Sequence, residues 1–458
     1  MNDRAALDLL LAHGPLSRSR IGRLTGLSKP TASQLLARLE AAGLVVVTGT
    51  SAGRPGPNAQ LYAVNPEAAH VAGLDVTARG IRAAVADVTG RTVGTYALPT
   101  PGRRGSGETG PSTCDLVVRA VEGAVKAAGL HRSRLHRIVV GTPGAFDPNT
   151  GRLRYASHLP GWHSPTLLEE LAAALPMPLE YDNDVNLVAV AEQRLGAARG
   201  DAGDPRDFVL LWNEEGIGAA LVIDGRLHRG WTGGAGELGF LPVPGTPLVR
   251  DAARTGSGGF QELAGAGAVL RLAGELGLVY DRGVPAHHAA AELLRRAAAV
   301  AGTEEEAEGD GAASRTGGPD GATTPAGPEP DAHTADGSGP GSRSASGSGP
   351  GRRGTQADAF AVPGPAEAAA LLHRFATGTA VGLAALVAVL DPALIVLSGG
   401  VLTAGGEPLR ARIRAELAEL AVPRPRLVPG ALTAHPVLSG ALESALITTR
   451  DEVFDTAR

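Results

Sequence analysis

The chain has 458 residues, with 42 Lys and Arg against 47 Asp and Glu and a formal net charge of −5. That length supplies cores for two or three domains, and the mild acidity confines any case for nucleic-acid binding to a local patch. A single cysteine, Cys114, excludes an intrachain disulfide and a cysteine-rich metal site, which fits a reducing cytoplasm.

The opening stretch, MNDRAALDLLLAHGPL, has one brief apolar run and no secretory h-region or cleavage site after it. The longest unbroken apolar run, Ala380 to Leu390, is far shorter than the roughly 20 residues of a membrane span. A soluble cytoplasmic protein with no membrane partner is expected.

Residues 1–66 are helical in pattern and locally basic, carrying Arg4, Arg18, Arg20, Arg23, Lys29, Arg38 and Arg54. The stretch LSRSRIGRLTGLSKPTASQLLARLEAAGLV is punctuated as a helix-turn-helix. Ser17 can cap a short helix that turns Ile21 and Leu24 inward, Gly26-Leu27 reverses the chain, and Ser28 caps a second helix that tolerates Pro30 in its first turn. Leu35, Leu36 and Leu39 form the buried stripe of that second helix. Its outward face then presents Ser28, Lys29, Thr31, Ser33, Gln34 and Arg38, groups able to reach base edges and phosphates in a major groove. The following VVVTGTSAGRPGPNAQLYAV reads as two strands around a tip, a wing, with Arg54 suited to a narrow minor groove. Double-stranded DNA is the expected partner of this region; a helical satellite used only for oligomerisation is the alternative.

From His70 onward, apolar runs of strand type alternate with helical patterns, the mark of an α/β sheet protein. Strands are expected at Val71–Val76, Ile81–Asp87, Arg137–Gly141, Leu179–Tyr181, Phe208–Trp212, Ile217–Ile223 and Leu394–Leu397. A helix between Ser112 and Gly129 places Leu116, Val117, Val121 and Val125 on one face. Asn183 and Asp184 close a strand and open a helix, so an amide beside a carboxylate projects at an element end, a pairing suited to vicinal hydroxyls. Glu237 sits within Gly234-Ala235-Gly236-Glu237-Leu238-Gly239, a backbone short enough of side chains to let a ligand approach closely. Helix capping and a solvated turn are the competing roles for these residues. Between Gly302 and Ala359 there is no Val, Ile, Leu, Met, Phe, Trp or Tyr. The insertion at 302–361 is therefore expected to be disordered.

From Ala72 to about Ala445 the chain resembles the ROK family, which groups bacterial sugar kinases with sugar-responsive repressors. The resemblance is carried by VGTPGAFDPNTGRLRYASHLPGW, EYDNDVNLVAVAE, DGRLHRGWTGGAGELGF and DPALIVLSGGVLTAGG, in that order. A winged helix placed before such a domain marks the repressor branch, of the xylose and N-acetylglucosamine repressor type. The implied fold is α/β: a winged helix followed by an actin-like, ribonuclease H-like, two-lobed sugar-kinase fold. The expected domains are 1–66, a first lobe 67–180 and a second lobe 181–458, with a C-terminal helix at about 437–450 returning to the first lobe. The resemblance further implies that Asn183, Asp184, Glu237 and Glu262 bind sugar, and that Asp184 would be the general base of a kinase.

The chain departs from the family at its phosphate loops. Where the family has Asp-x-Gly-Gly-Thr, Asp75 remains but Thr77, Ala78 and Arg79 follow. Where it has Gly-Thr-Gly-Ile-Gly, this chain has Glu214-Glu215-Gly216-Ile217-Gly218, turning two carboxylates toward any polyphosphate. The family's zinc ligands are also replaced, with Phe240 at the histidine position and Ala253, Thr255 and Phe260 at the cysteines. No metal and no cofactor are expected. The sequence thus reads as a DNA-binding regulator, a repressor of carbohydrate-related genes, that senses a sugar as a homodimer or homotetramer and is not an enzyme. An ATP-dependent sugar kinase with atypical loops, using Asp184, is the alternative, and a DNA-binding protein with a decayed pocket is a third.

Overall fold

The computed structural model describes residues 2–51, 59–100, 111–147, 149–150, 152–154, 159, 162, 164, 166–200, 206–248, 258–313 and 363–455. The chain begins with α1 (Asn2–His13), β1 (Leu16–Ser17), α2 (Arg18–Thr25) and α3 (Lys29–Ala41), followed by the wing strands β2 (Val45–Thr50) and β3 (Gln60–Val64). Local chemistry sets these boundaries. Ser17 caps α2, Gly26 ends it in the left-handed conformation at φ 71°, and Ser28 accepts from the Thr31 amide to start α3. Leu7, Ile21, Leu35, Leu36 and Leu39 close the core, and β1, β3 and β2 make a small antiparallel sheet over it. Leu24, expected inside, is 41% exposed. In a helix of eight residues Ile21 alone fills the inward position, and Leu24 is rotated off that face.

The first lobe is built on β4 (His70–Thr77), β5 (Gly80–Asp87), β6 (Thr92–Pro99), β7 (Leu135–Thr142) and β10 (Leu179–Asn183), in the order β10-β7-β4-β5-β6. β4, β5 and β6 pair antiparallel, whereas β7 runs parallel to both β4 and β10. Helix α4 (Thr113–Ala127) starts on a reciprocal capping box between Ser112 and Asp115 and buries Leu116, Val117, Val121 and Val125 against this sheet. The hairpin β8 (Ala145–Asp147) and β9 (Arg152–Arg154), then α5 (Leu167–Ala174), complete the lobe. Because β10 belongs to this sheet, a division at 180/181 would cut a strand. The lobe ends instead after Asn183.

Helix α6 (Asp184–Leu195) leads to the second sheet, which comprises β11 (Phe208–Asn213), β12 (Ile217–Ile223), β13 (Arg226–His228), β14 (Leu394–Ser398) and β15 (Arg426–Pro429), in the order β13-β12-β11-β14-β15. Its outer face packs against α7 (Gly259–Ala264), α8 (Ala266–Glu275), α9 (Ala286–Ala313), α10 (Pro365–Leu390), α11 (Gly400–Ala404) and α12 (Gly406–Leu420). The expectation of disorder from residue 302 needs correcting at its start, because α9 continues helical through Ala313. Glu304, Glu305, Glu306, Ala307 and Glu308 are strong helix formers that extend a helix already nucleated upstream. Residues 314–362 lie outside the described residues. By length and composition α10 could cross a bilayer, a possibility that the count of unbroken apolar residues understated. It is a core helix here: Leu371, Leu372, Phe375, Leu383 and Val387 are all fully buried.

The two lobes are joined by helices rather than by sheet. α6 and the last helix, α13 (Pro436–Asp455), lie between the sheets, with Leu187, Val188, Ala441 and Ala445 packed between Val71 and Val139 on one side and Phe208 and Val396 on the other. Gly73 of β4 makes this approach possible, since a Cβ there would stand 2.9 Å from the Leu442 amide nitrogen.

Candidate functional site

Two surfaces carry the chemistry: the outer face of α3 and the cleft between the lobes. On α3, Lys29, Thr31 and Gln34 are exposed and point away from the leucine stripe. Ser28 is spent on the cap. The Ser33 hydroxyl donates to the Lys29 carbonyl at 2.9 Å and accepts from Arg18 at 3.1 Å, tying α3 to α2. Arg38 is exposed but engaged, with Nε donating to Asp3 at 3.0 Å and Nη2 donating to the other carboxylate oxygen. That pairing raises its proton affinity and anchors α3 to α1. Arg54 falls outside the described residues. Arg18, Arg20 and Arg23 on α2 are also exposed and add to the positive face. Their signal in the sequence was the charge bias alone.

The cleft has a volume of about 400 Å³ and is lined by the Thr77–Arg79 turn, the loop at Glu214–Gly218, the Asn183-Asp184 corner, the Gly-rich segment around Glu237 and the start of α13. Asn183 serves as the N-cap of α6: its Oδ1 accepts from the Val185 and Asn186 amides at 2.8 and 3.2 Å, and its Nδ2 donates to the Gly144 carbonyl at 3.0 Å. It fixes the corner and leaves Asp184 facing the cleft. Burial holds the Asp184 carboxyl far above its ordinary value, at about 7, and the nearby charges of Asp75 and Glu237 push in the same direction. Burial also raises Asp75 and Glu237. Asp75 is only 9% exposed, and neither its carboxylate nor that of Glu237 has a hydrogen-bond partner among the described residues. A buried and a half-buried acceptor left open in this way suit a ligand that brings hydroxyl donors.

Behind this corner Asp182 accepts from Arg229 at 2.6 and 3.1 Å, which pins the Gly-rich segment of the second lobe to β10. Gly236, at φ 94°, lies so near β12 that a Cβ would collide with the Ala219 carbonyl at 1.9 Å. Glu262 is not brought to the cleft. It accepts from the Gly258 amide at 2.7 Å and so caps its own helix, α7. Sequence reasoning missed three cleft residues, His287, His288 and His435. They arrive from α9 and from the turn before α13, and no local motif marks them.

At the mouth of the cleft the two turns are engaged by their own side chains. Glu214 Oε1 accepts from the Gly400 amide at 2.8 Å, and Arg79 pairs with Glu215 across the two loops at 3.8 Å. A polyphosphate does not fit a turn already occupied by a carboxylate. Zinc does not fit its family position either: Phe260 is fully buried, with its ring against Gly382, where a Cβ would stand 2.2 Å from the ring. Phe240 is half-buried, and residues 251–257 lie outside the described residues.

α13 joins the cleft to the winged helix. His435, Pro436 and Val437 line the cleft. At the other end of the helix, Phe454 is 1% exposed within the winged-helix core and Asp451 accepts from Arg4 of α1 at 2.7 Å. Its 20 residues span about 30 Å.

Comparison with known proteins agrees with this architecture. Residues 71–264 match the ROK family and residues 3–54 the MarR family. A xylose repressor from Caldicellulosiruptor bescii is 28% identical over 243 residues, covering 53% of this chain and 59% of that protein. The match thus spans less than two thirds of that relative's length. Among solved structures, a ROK family transcriptional regulator, a homolog of the E. coli MLC protein, superposes with a TM-score of 0.63 over 99% of this chain and 97% of its own, at 16% identity. A ROK hexokinase from Thermus thermophilus gives a TM-score of 0.55 at 26% identity, covering 83% of this chain and 99% of its own. Regulators and sugar kinases are therefore both among the relatives. The chain thus has a winged helix, similar over residues 3–54 to the MarR family, followed by a ROK sugar-kinase-like fold.

Proposed function

We propose that this protein is a transcriptional repressor whose affinity for operator DNA responds to a sugar bound between the lobes. The observation that carries the reading is α13, one continuous helix with its first residues in the cleft and its last in the winged-helix core. Lys29, Thr31 and Gln34 are assigned to phosphate and base contacts, with Arg54 at the wing. Asp184, Glu237 and Asp75 are assigned to sugar hydroxyls, with Asn183 holding the corner. A sugar that binds one lobe arrangement better than another shifts the position of α13, and only that differential affinity moves the winged helix. A dimer reading a two-fold operator and a cytoplasmic location complete the proposal.

One observation favours a kinase as the second reading: the proton affinity of Asp184 near neutrality suits a general base. Glu214 on the Gly400 amide and the Arg79–Glu215 pair speak against it. Incubation of the full chain with ATP, Mg²⁺ and a sugar panel, alongside selection of bound genomic DNA fragments, separates the two. The proposal expects enriched fragments sharing a sequence and no sugar phosphate above background. Phosphorylation that depends on Asp184, without sequence-selective DNA binding, would reverse it.

A further inference from the structure

The charge arrangement of the cleft points beyond the presence of a sugar to its chemical form. Five carboxylates line it: Asp75, Asp184 and Glu237 at the base, Glu214 and Glu215 on the second loop. Arg79 is the one arginine or lysine among the described lining residues, and its exposed guanidinium lies 3.8 Å from the Glu215 carboxylate. Three histidines share the wall, and burial lowers the proton affinity of His287. The Gly400 amide, a backbone donor of the kind that meets phosphate oxygens, already donates to the carboxylate of Glu214 at 2.8 Å. A Cβ on Gly400 would stand 3.0 Å from that same oxygen, so the carboxylate fills the space above the turn.

We infer that the cleft selects the unphosphorylated form of its sugar and rejects the phosphate ester of the same sugar. The inference rests on the reading of the cleft as a sugar site. A neutral polyol gives its hydroxyl protons to the open acceptors of Asp75 and Glu237 and meets no like charge. A phosphate ester brings up to two negative charges into a partly enclosed space lined by five carboxylic acid side chains, whose one arginine already lies beside Glu215. Displacing the half-buried Glu214 would break its hydrogen bond to the Gly400 amide, and the exposed Glu215 would still add its like charge at the mouth. The molecule this protein monitors is accordingly the substrate of a sugar-phosphorylating reaction rather than its product.

The test is calorimetric titration of the full chain with matched pairs: glucose and glucose 6-phosphate, mannose and mannose 6-phosphate, N-acetylglucosamine and N-acetylglucosamine 6-phosphate. The expected result is that the free sugar of a pair binds at least about tenfold more tightly than its ester. In the double variant Glu214→Gln, Glu215→Gln that ratio should fall by about threefold or more. An ester that binds the wild-type chain as tightly as its free sugar overturns the inference, and a ratio unchanged in the double variant overturns its assignment to the two glutamates. Binding by neither member of any pair overturns the sugar-cleft reading itself, an outcome distinct from the others.

Discussion

Replacing Asp184 by Asn should stabilise the folded protein at neutral and alkaline pH while removing its response to sugar. Asp184 sits where burial and two neighbouring carboxylates oppose its ionisation, and its proton affinity rises from the ordinary 3.8 to about 7. At roughly 1.4 kcal/mol per tenfold change in proton affinity, that gap corresponds to at most about 4 kcal/mol of stability. Because the folded value is raised, the unfolded chain releases its proton first as pH climbs. The penalty is therefore absent below about 3.8, grows between there and about 7, and is complete above. Asparagine has no proton to lose and can still accept from the Val185 amide, which lies 2.9 Å from Asp184 Oδ1. Urea denaturation of wild type and Asp184→Asn at pH 4.5 and pH 8 measures the difference directly. A stability gain at pH 8 that shrinks at pH 4.5 is expected; a variant less stable than wild type at pH 8 would refute the assignment of a strained, ligand-awaiting carboxylate.

Gln34→Ala should change the preference among operator variants, because an amide reads base edges, whereas Lys29→Ala should weaken all sequences alike and lower the salt slope by about one. Competition binding across a salt series checks both. Arg38→Ala should behave like Asp3→Ala, each lowering stability to urea by about 0.5–1 kcal/mol through their shared ion pair; a loss of DNA affinity in Arg38→Ala alone would assign Arg38 to the DNA face. Phe454→Ala should leave sugar affinity within about twofold and abolish the effect of sugar on DNA binding, since it opens a cavity, typically worth about 3–5 kcal/mol, where α13 enters the winged-helix core. Titration of sugar and DNA separately decides that point.

What could be read from the sequence was local. Ser17, Ser28 and Ser112 announced their helices because capping is decided within four residues, and β4, β5, β7, β11 and β12 showed as apolar runs because both faces of those strands are covered. The contacts that change the site are remote in sequence. Asp3 engages the exposed Arg38 from 35 residues away, and Glu214 reaches Gly400 across 186. His287, His288 and His435 enter the cleft only because α9 and α13 converge on it. Glu262 fell in register with a ligand position yet caps α7, a role that register alone does not distinguish. Asn183 combines both possibilities, since the cap it forms aims its neighbour Asp184 at the cleft.

The central claim is that sugar in the cleft controls DNA binding through α13. The most direct measurement is the affinity of the full chain for a selected operator fragment, with and without the sugar that binds it, in wild type and Asp184→Ala. The account predicts a sugar-dependent change of at least about tenfold in wild type and none in Asp184→Ala, with equal sugar-free affinities. Sugar that binds the wild-type chain and leaves its operator affinity unchanged would contradict it.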